Sequence, residues 1–338
     1  MDSLAVAGSA IDTTHTYHAD AESLTQTEHK EENLFVTLLH HVQDSREIEL
    51  PGLKVELPFI LVERDGVHAY ASGHSLLASG RYALKEGQPM EKVVRASDGT
   101  PPMLDASITK HVVFLWVAAL LLCIIAIQAA RKNVKNLVPR GWGNVMEIVI
   151  VFIRDEIVIP NMGRDGIRYM SYLLTTFFYI LLMNLLGLIP YGASATGNVS
   201  VTAGLAIIAF VMIQASAIRA QGLGHYLAHL TGGVHWSLWI IMIPIEVLGL
   251  FTKAFALCIR LFANMTGGHI VIVSLIGLIF IFKSYIVAVA PIGFAVGINF
   301  LELFVAFLQA YIFTMLTSLF MGLGMVSEGH EGSAGHGH

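Results

Sequence analysis

The pattern of apolar positions divides this chain into two parts. In the first part the apolar runs are short: residues 53–57 alternate between apolar and polar, and runs at 59–62 and 67–70 flank an Asp65-Gly66 turn. Alternation predicts a strand, and an Asp-Gly pair between two apolar runs predicts a β-hairpin. Helical spacing over 34–42 predicts one short amphipathic helix before these strands. We therefore expect a small α+β head.

In the second part the apolar runs are long enough to cross a membrane. Residues 111–130 hold no Lys, Arg, Asp or Glu, and about 20 such residues span the roughly 30 Å of a bilayer's hydrocarbon core. Further runs occupy 169–190 and 199–218, and the run from 236 to 323 is long enough for two helices. Residues 291–323 alone predict a helix of about 50 Å at about 1.5 Å per residue, so the last two helices must be long and strongly tilted.

One further helix is expected to lie on the membrane surface. Residues 142–160 mix apolar positions with four charged residues, a pattern typical of an interfacial helix. The cations that follow the first crossing are Arg131, Lys132, Lys135 and Arg140. Because Lys and Arg are enriched next to crossings on the cytoplasmic side, this end of the helix is placed there. The head is then expected outside the cell and the C-terminus in the cytoplasm.

Composition agrees with a membrane protein. Of the 338 residues, 55% are hydrophobic and 13% are charged, whereas soluble domains carry about 25% charged residues. This excludes an ordinary cytosolic enzyme, a disordered protein and a nucleic-acid binder. The net charge is −5, and residues 1–108 hold 17 acidic against 8 basic side chains. We predict an all-α membrane protein with five crossings and one interfacial helix: an acidic extramembrane head with a disordered start at 1–108, a membrane-embedded domain at 109–325 and a disordered tail at 326–338.

Three charged residues in the apolar run share one helix face. Glu246, Lys253 and Arg260 are spaced by seven and seven, and seven positions return to within about 20° on a helix. Asn264 extends this stripe. A charge at mid-membrane costs about 2.5–3.5 kcal/mol, and a guanidinium cannot lose its proton to avoid that cost. Arg260 must therefore face a carboxylate, a water-filled cavity or a partner subunit; an internal ion pair with Glu302 is the simplest alternative.

A second polar face is predicted on the last helix. Glu302 and Gln309 are again seven residues apart. His269, nine residues after Arg260, lies on the opposite side of an ideal helix, although the adjacent glycines at 267 and 268 could loosen that geometry. An imidazole and a carboxylate on neighbouring helices can pass protons through water. For His269 alone, an ordinary polar contact within a helix bundle is an equal alternative.

Metal or haem binding is the less favoured interpretation of the histidines. His225 and His229 are four apart, with His235 nearby, a spacing that suits two metal ligands on a helix. However, glycines flank them, and we expect residues 220–235 to form a polar connection instead. The tail carries three more histidines with weak metal-binding potential. We expect no metal and no cofactor. A self-contained secondary transporter is the remaining alternative, but the internal repeats typical of that class are missing from the pattern.

Two segments carry a resemblance to a known family. Residues 259–269 read Ile-Arg-Leu-Phe-Ala-Asn-Met-Thr-Gly-Gly-His, and residues 302–313 read Glu-Leu-Phe-Val-Ala-Phe-Leu-Gln-Ala-Tyr-Ile-Phe. Both closely resemble the a subunit of rotary F-type ATP synthases. Residues 182–190 and 198–202 are similar to the family's first transmembrane hairpin. The match covers roughly 109–325, and the 108-residue head departs from the family's compact pattern.

The resemblance implies roles for the unusual polar residues. Arg260 corresponds to the arginine that faces the ion-carrying carboxylate of the rotating c-ring, with Asn264 and Gln309 beside it. Glu246 corresponds to the acidic residue of the half-channel toward the cytoplasm, and His269 and Glu302 to the pair in the outer half-channel. The residues expected to serve proton translocation are therefore Arg260, Glu302, His269, Glu246, Asn264, Gln309 and Lys253.

The resemblance also implies partners and location. We expect a non-catalytic stator subunit in the inner membrane of a bacterium, in contact with the c-ring of small hydrophobic subunits, the peripheral-stalk membrane subunit b, the remainder of the ATP synthase and the lipid bilayer. The chain has no Gly-rich phosphate loop, and no nucleic-acid partner is expected. Gly187 departs from members that carry an acidic residue there, which leaves the lining of the outer half-channel open.

Overall fold

The computed structural model describes most of the chain, and the statements below concern those parts. The described residues are 45–50, 53–85, 92–135, 142–189, 194–230, 239–282 and 285–325. The helix predicted over 34–42 and the histidines of the tail lie outside them. His235, from the predicted polar connection, does so as well.

The described part of the head contains seven short strands and one helix. β3 (Phe59–Glu63) lies between β4 and β7 in a three-stranded antiparallel sheet, and two further antiparallel pairs accompany it. The other elements are β1 (Glu47–Leu50), β2 (Leu53–Glu56), β4 (Gly66–Tyr70), α1 (Gly73–Ala78), β5 (Tyr82–Lys85), β6 (Lys92–Arg95) and β7 (Leu104–Asp105). The strand predicted at 53–57 and the predicted hairpin are confirmed, the latter with Glu63 opposite Gly66 at its turn.

A small apolar cluster and a helix cap hold the described head together. Leu61 and Leu76 are fully buried, and Phe59, Tyr82 and Val93 pack around them. The Ser72 side chain accepts a hydrogen bond from the backbone N–H of Ser75, whose side chain in turn accepts one from the N–H of Ser72. This capping box satisfies two backbone donors and explains why α1 begins at this position.

Among the described residues, five helices are long and apolar enough to cross a membrane, which confirms the predicted number. They are α2 (Lys110–Lys135), α5 (Met170–Gly187), α6 (Val199–Gln221), α8 (Trp239–Phe282) and α9 (Tyr285–Met325). α8 has 44 residues and α9 has 41, which correspond to about 66 Å and about 62 Å. Because the hydrocarbon core is only about 30 Å thick, both helices must tilt strongly or project beyond it.

The predicted surface helix is present, in three consecutive pieces. α3 (Trp142–Phe152) continues as a π-helix (Ile153–Val158) and then as α4 (Ile159–Met162). Ile153 and Ile157 are fully buried against the membrane helices. The charged side chains of this segment are exposed: Glu147, Arg154, Asp155 and Glu156. This division of apolar and charged faces agrees with an interfacial helix.

The polar connection predicted at 220–235 is partly wrong. Gly222, at φ +81°, ends α6, and the chain then forms the short helix α7 (Leu223–Leu230). A residue with a side chain would be strained at that φ, so glycine permits the abrupt turn between the two helices. Glycines near these histidines favoured a loop, but of the two that the structure describes, Gly222 and Gly224, only Gly222 has positive φ.

Hydrogen bonds between elements show which helix ends share a side of the membrane. The Gln221 side chain donates to the carbonyl of Gly324 at 2.7 Å, so α6 and α9 end together. Ser318 of α9 donates to the carbonyl of Ile157 at 3.3 Å, which brings the surface segment to that same side. The buried core between these helices includes Phe177, Phe313, Leu173, Ile180, Leu257, Leu261 and Met321.

Candidate functional site

The polar residues singled out in the sequence lie on the two longest helices. α8 is continuous through Glu246, Lys253, Arg260 and His269, including its adjacent glycines, and α9 carries Glu302 and Gln309. The two helices are consecutive and pack extensively against each other. The charged stripe of α8 runs over 14 residues from Glu246 to Arg260, which corresponds to about 21 Å along the helix axis.

One polar contact joins the two helices next to Arg260. Asn264 Nδ2 donates to Gln309 Oε1 at 2.6 Å. Gln309 is only 2% exposed, and its Nε2 has no hydrogen-bond acceptor among the described residues. A small cavity of about 10 Å³ adjoins this pair and is lined in part by Asn184 and Glu302. That volume is roughly the space for one water molecule, whose hydrogen bonds would satisfy the free Gln309 amide.

His269 and Glu302 are brought together. His269 Nδ1 lies 3.8 Å from Glu302 Oε1, and the Glu302 side chain is 4% exposed. Both carboxyl oxygens of Glu302 are buried with no hydrogen bond from a described residue. A separation of 3.8 Å is too long for a direct hydrogen bond. The two groups therefore face each other as a close but open pair, the arrangement through which a proton can pass when water is present.

Gly268, which the sequence analysis considered only as a position that could loosen the helix, makes this approach possible. A Cβ on Gly268 would lie 2.8 Å from Glu302 Oε1 and 2.9 Å from its carboxyl carbon. Both distances are closer than real Cβ contacts allow. With a side chain at 268, the Glu302 carboxyl group would have to move from its present position against α8. No sequence signal distinguishes Gly268 from the other helical glycines, because the constraint comes from α9.

A buried polar network lies beside the cavity, close to the end of α5. Asn184 Nδ2 donates to the carbonyl of Ala306 at 3.3 Å, and Thr196 Oγ1 donates to Asn184 Oδ1 at 2.8 Å. Ser194 lies 3.4 Å from Thr196, oxygen to oxygen. All three side chains are buried. The sequence resemblance included the segment around Asn184, but the contribution of Thr196 and Ser194 was not predicted.

Gly187 is tightly enclosed beside this network. A Cβ there would lie 2.4 Å from Met265 Cε and 2.9 Å from Ser194 Cβ. An acidic side chain, as some family members carry at this position, would therefore require these neighbours to move. In this chain the polar side chains of Asn184, Thr196 and Ser194 lie near Gly187 instead.

Arg260 has no partner within the described chain. Its side chain is half-buried, and it takes part in no hydrogen bond, ion pair or ring contact with a described residue. The alternative of an internal ion pair with Glu302 is therefore not formed. Beside Arg260 on α8 runs a stripe of small exposed residues: Gly249, Ala256, Ala263 and Gly267. Small residues next to a charge leave room for another helix to approach closely.

Lys253 differs from Arg260 because it does find a partner. Its Nζ lies 5.2 Å from the centre of the Phe320 ring, within the range of a cation–π contact. Lys253 is thus satisfied inside the chain by a residue of α9. The two cations are seven positions apart on the same stripe, yet only Arg260 is left without a contact of this kind in the described part of the protein.

At the other end of the stripe, α7 adds polar groups near Glu246. Tyr226 Oη donates to Gln214 Oε1 at 2.6 Å, and Gln214 Nε2 is buried with no acceptor among the described residues. Burial raises the pKa of Tyr226 above its usual value, and the negative charge of Glu246 raises it further. The charge of Glu246 therefore acts on Tyr226. The sequence interpretation did not connect α7 with Glu246, since it expected a loop there.

Metal ligation receives no support from the described residues. They contain no group of three or more His, Cys, Asp or Glu side chains able to hold a metal ion. His225, on α7, is exposed. Cys123 and Cys258 are both free thiols, and Cys258 packs in the apolar core as a small hydrophobic residue does.

Comparison with known proteins agrees with this arrangement. The sequence model of the ATP synthase A chain family matches residues 112–322. The chain is 54% identical over 237 residues to ATP synthase subunit a of Chloroherpeton thalassium, covering 69% of this chain and 71% of the relative. It is 51% identical over 289 residues to ATP synthase subunit a 2 of Chlorobaculum tepidum, covering 79% and 82%. With ATP synthase subunit a of Myxococcus xanthus it shares 47% identity over 295 residues, covering 86% and 95%.

The matched region begins just inside α2 and ends near the end of α9, so it contains all five membrane-crossing helices and every residue of the polar stripes. The alignments with the Chlorobaculum tepidum and Myxococcus xanthus relatives cover 79% and 86% of this chain, so they also include part of the region before α2. The chain belongs to the ATP synthase A chain family and is a membrane-sector subunit of an F-type ATP synthase.

Proposed function

We propose that this chain is the stator subunit that forms two proton half-channels against a rotating ring of small hydrophobic subunits and couples proton flow to rotation of that ring. The observation that carries the proposal is Arg260, a permanent cation at mid-membrane with no partner in the described chain. A charge of this kind is costly unless an opposite charge meets it. A carboxylate on the passing ring is that opposite charge.

Arg260 performs two tasks in this mechanism. Its positive charge favours the ionised form of a carboxyl group that comes close to it, so each ring carboxyl group releases its proton there. The same charge repels a hydrated proton and prevents direct passage between the two half-channels. A proton must therefore travel on the ring, and each elementary charge that crosses the membrane supplies about 2.3 kcal/mol per 100 mV. Other subunits use that work for ATP synthesis.

The outer half-channel includes His269 and Glu302. The pair is separated by 3.8 Å and has unsatisfied carboxyl oxygens, and the polar network of Asn184 and Thr196 lies beside it. The small cavity lined by Glu302, Asn264 and Gln309 adjoins this group. A proton entering from the outer side passes from the His269–Glu302 pair to the ring carboxylate.

The inner half-channel includes Glu246. Gln214 and Tyr226 contribute buried polar groups on its side. Glu246 and Arg260 are separated by about 21 Å along α8, so the inner path opens well away from the outer one. Lys253, held over Phe320, keeps a second positive charge between them and adds to the barrier against proton leakage.

The ring is proposed to dock on the face of α8 and α9 that this chain leaves open. Gly249, Ala256, Ala263 and Gly267 of α8 are exposed, and a Cβ on Gly293 or Gly297 of α9 would meet no atom within 4 Å. Large exposed residues surround these small ones: Phe251, Phe255, Phe294, Phe300 and Phe304. Small residues permit close helix approach, while the phenylalanines bury area against the ring or the lipid.

We place the 1–108 head outside the cell and the end of α9 in the cytoplasm, because cations cluster after α2 and around the surface helix. The described basic residues on that side include Arg131, Arg154, Arg164, Arg168 and Arg219. The 109–325 domain is then the proton-conducting part, in the inner membrane of a bacterium. The peripheral-stalk subunit b is the second membrane partner in this proposal.

Cysteine cross-linking tests the docking face directly. Ala263→Cys, exposed on α8, is expected to form a disulfide with cysteines placed on the outer helix of the ring subunit in the assembled synthase. Ala306→Cys, on the buried face of α9 at 3% exposure, is the matched control and is expected to form none. Equal cross-linking at both positions, or cross-linking at neither, would contradict docking on this face.

The alternative of a self-contained transporter predicts a different behaviour. A transporter purified alone moves ions across liposomes at a substantial rate, whereas a half-channel subunit without its ring has no carrier for the proton between its two paths. Proton flux in liposomes that contain this chain alone separates the two proposals, and rapid flux that Arg260→Ala leaves unchanged would favour the transporter.

A further inference from the structure

A cavity of about 850 Å³ opens where the membrane helices meet the turn after the surface helix. Its walls come from the 3₁₀ turn Arg164–Tyr169, the first residues of α5, and the last turns of α6 and α9. The Gln221–Gly324 hydrogen bond of 2.7 Å holds the last two helix ends together. The volume lies within the range of about 300–1,000 Å³ that is typical of small-molecule sites. None of the proposed proton-path residues lines it.

The rim of the cavity carries one more positive than negative charge. Arg168 and Arg219 line it together with Asp165. Arg168 lies 3.4 Å from Asp165, and these two side chains are 79% and 74% exposed, so their pairing is weak. Arg219 is exposed and makes no ion pair with any described residue. The excess of one charge matches the single negative charge of a phosphodiester.

Besides its charged residues, the cavity has aromatic and apolar walls. Tyr169 and Tyr172 line it together with Met162, Met212 and Met325. Met212 precedes Arg219 by seven residues, which places it about 10 Å deeper along α6. Tyrosines are enriched at the boundary between headgroups and hydrocarbon. The cavity thus offers arginines, tyrosines and methionines, side chains that suit the phosphate, the glycerol and an acyl chain of a phospholipid.

The geometry points to a binding site for an anionic phospholipid, whose phosphate accepts hydrogen bonds from Arg219 and Arg168 and whose acyl chain lies against Met212. Arginine binds phosphate through several N–H groups at once. A free phosphate would use only the rim and leave the apolar depth in contact with water. A lipid fills both regions. This site is independent of the proton path, and it would fasten the ends of α6 and α9 to the membrane surface.

Native mass spectrometry of the complete synthase tests the site. The purified complex is exchanged into phosphatidylglycerol or into zwitterionic phosphatidylcholine, and the phospholipids that remain on this subunit are counted. Phosphatidylglycerol is expected to remain and phosphatidylcholine to be lost. Arg219→Gln is expected to lower retention of phosphatidylglycerol about fivefold, as the loss of one interfacial cation does.

Two further variants test whether lipid retention depends on this cavity in particular. Arg164→Gln removes an exposed arginine on the same turn that does not line the cavity, and retention is expected to remain unchanged. Met212→Trp fills the apolar wall while leaving both rim arginines, and it is expected to reduce retention as Arg219→Gln does.

Four results would overturn the proposal. Equal retention of both lipids would remove the charge preference, and an equal loss with Arg164→Gln would indicate a general surface effect. Displacement of the bound phosphatidylglycerol by millimolar inorganic phosphate would assign the rim to a free anion. A cross-link from Met212→Cys to another subunit of the intact complex, with no lipid retained, would show that protein covers the cavity.

Discussion

Charged residues behave in opposite ways in the head and in the membrane helices. In the head, Arg95 donates two hydrogen bonds to Glu63, and Arg46 donates to Asp105 at 2.5 Å, although water could solvate these groups. In the membrane helices, Arg260 has no such partner in the described chain, although lipid cannot solvate it. The described head therefore pairs these two arginines within its own fold, whereas the described membrane helices leave Arg260 unpaired, the charge that we propose a neighbouring subunit meets.

The replacement of Arg260 is expected to have the largest effect on ATP synthesis. With Arg260→Ala, proton-driven ATP synthesis should fall by about 10²–10³-fold, the loss typical of a single preorganised charge. The complex should still assemble, because the guanidinium contacts no described residue whose packing would be lost. ATP synthesis in inverted membrane vesicles measures the first expectation, and the subunit content of the purified complex measures the second.

The matched control for this experiment is Arg131→Ala. Arg131 is an exposed arginine on another membrane helix, at the end of α2, and it lies outside both proposed half-channels. Its replacement is expected to leave ATP synthesis near the normal rate. Normal coupling in the Arg260 variant, or an equal loss in the control, would remove the basis of the proposed mechanism.

The second prediction concerns the His269–Glu302 pair, in which the carboxyl oxygens have no hydrogen bond from a described residue. Glu302→Gln removes a titratable group while keeping its size, and we expect proton transport to slow by about 10–100-fold, in the range of lost general acid–base steps. The pH profile of the remaining transport should lose one titration step. Glu147→Gln, at an exposed position of the surface helix, is the control and should leave both rate and profile unchanged. A profile of unaltered shape in the Glu302 variant would exclude it from the proton path.

The third prediction compares a tightly enclosed glycine, Gly187, with Gly204, which has open space around it. Gly187→Ala places a Cβ 2.4 Å from Met265 Cε and 2.9 Å from Ser194 Cβ, and overpacking of this kind costs about 1–3 kcal/mol. Gly204→Ala, on α6, meets no atom within 4 Å and should be neutral or stabilise the helix by up to about 1 kcal/mol. The thermal midpoint of the assembled complex measures both. A lower midpoint for Gly204→Ala than for Gly187→Ala would mean that the packing around Gly187 is not as described.

The smallest expected effect belongs to the head. Glu63→Gln removes the charge from a nearly buried acceptor, 8% exposed, that binds Arg95. Because Arg95 itself is partly solvated, the loss should be modest, with amide hydrogen exchange in β3 and β6 rising about two- to fivefold in the intact synthase. ATP synthesis should be unaffected. A large fall in ATP synthesis would show that the head takes part in coupling and would end the contrast between the two regions.

The predicted elements that agree with the structure are those with a strong local pattern. The five crossings follow from long uncharged runs such as 111–130, and the hairpin follows from its Asp65-Gly66 turn. The α7 helix was missed because glycines near His225 indicated a loop, although of the described glycines there, Gly222 and Gly224, only Gly222 adopts a conformation that favours glycine. The π-helix at Ile153–Val158 and the pairing of β5 with β6 had no recognisable signal, because both depend on what packs against them.

The sequence by itself determined that Arg260 lies deep in an apolar helix and that Glu246 and Lys253 share its face, because helix periodicity and the high cost of charge in hydrocarbon act on local sequence alone. Whether these charged side chains contact another group of the chain depended on the distances between helices. Packing brought Lys253 over Phe320 and, through the missing side chain of Gly268, Glu302 to His269, but it brought no described group to Arg260. Contacts between helices arise from how whole surfaces fit together, and a residue's own neighbours in the sequence do not specify them.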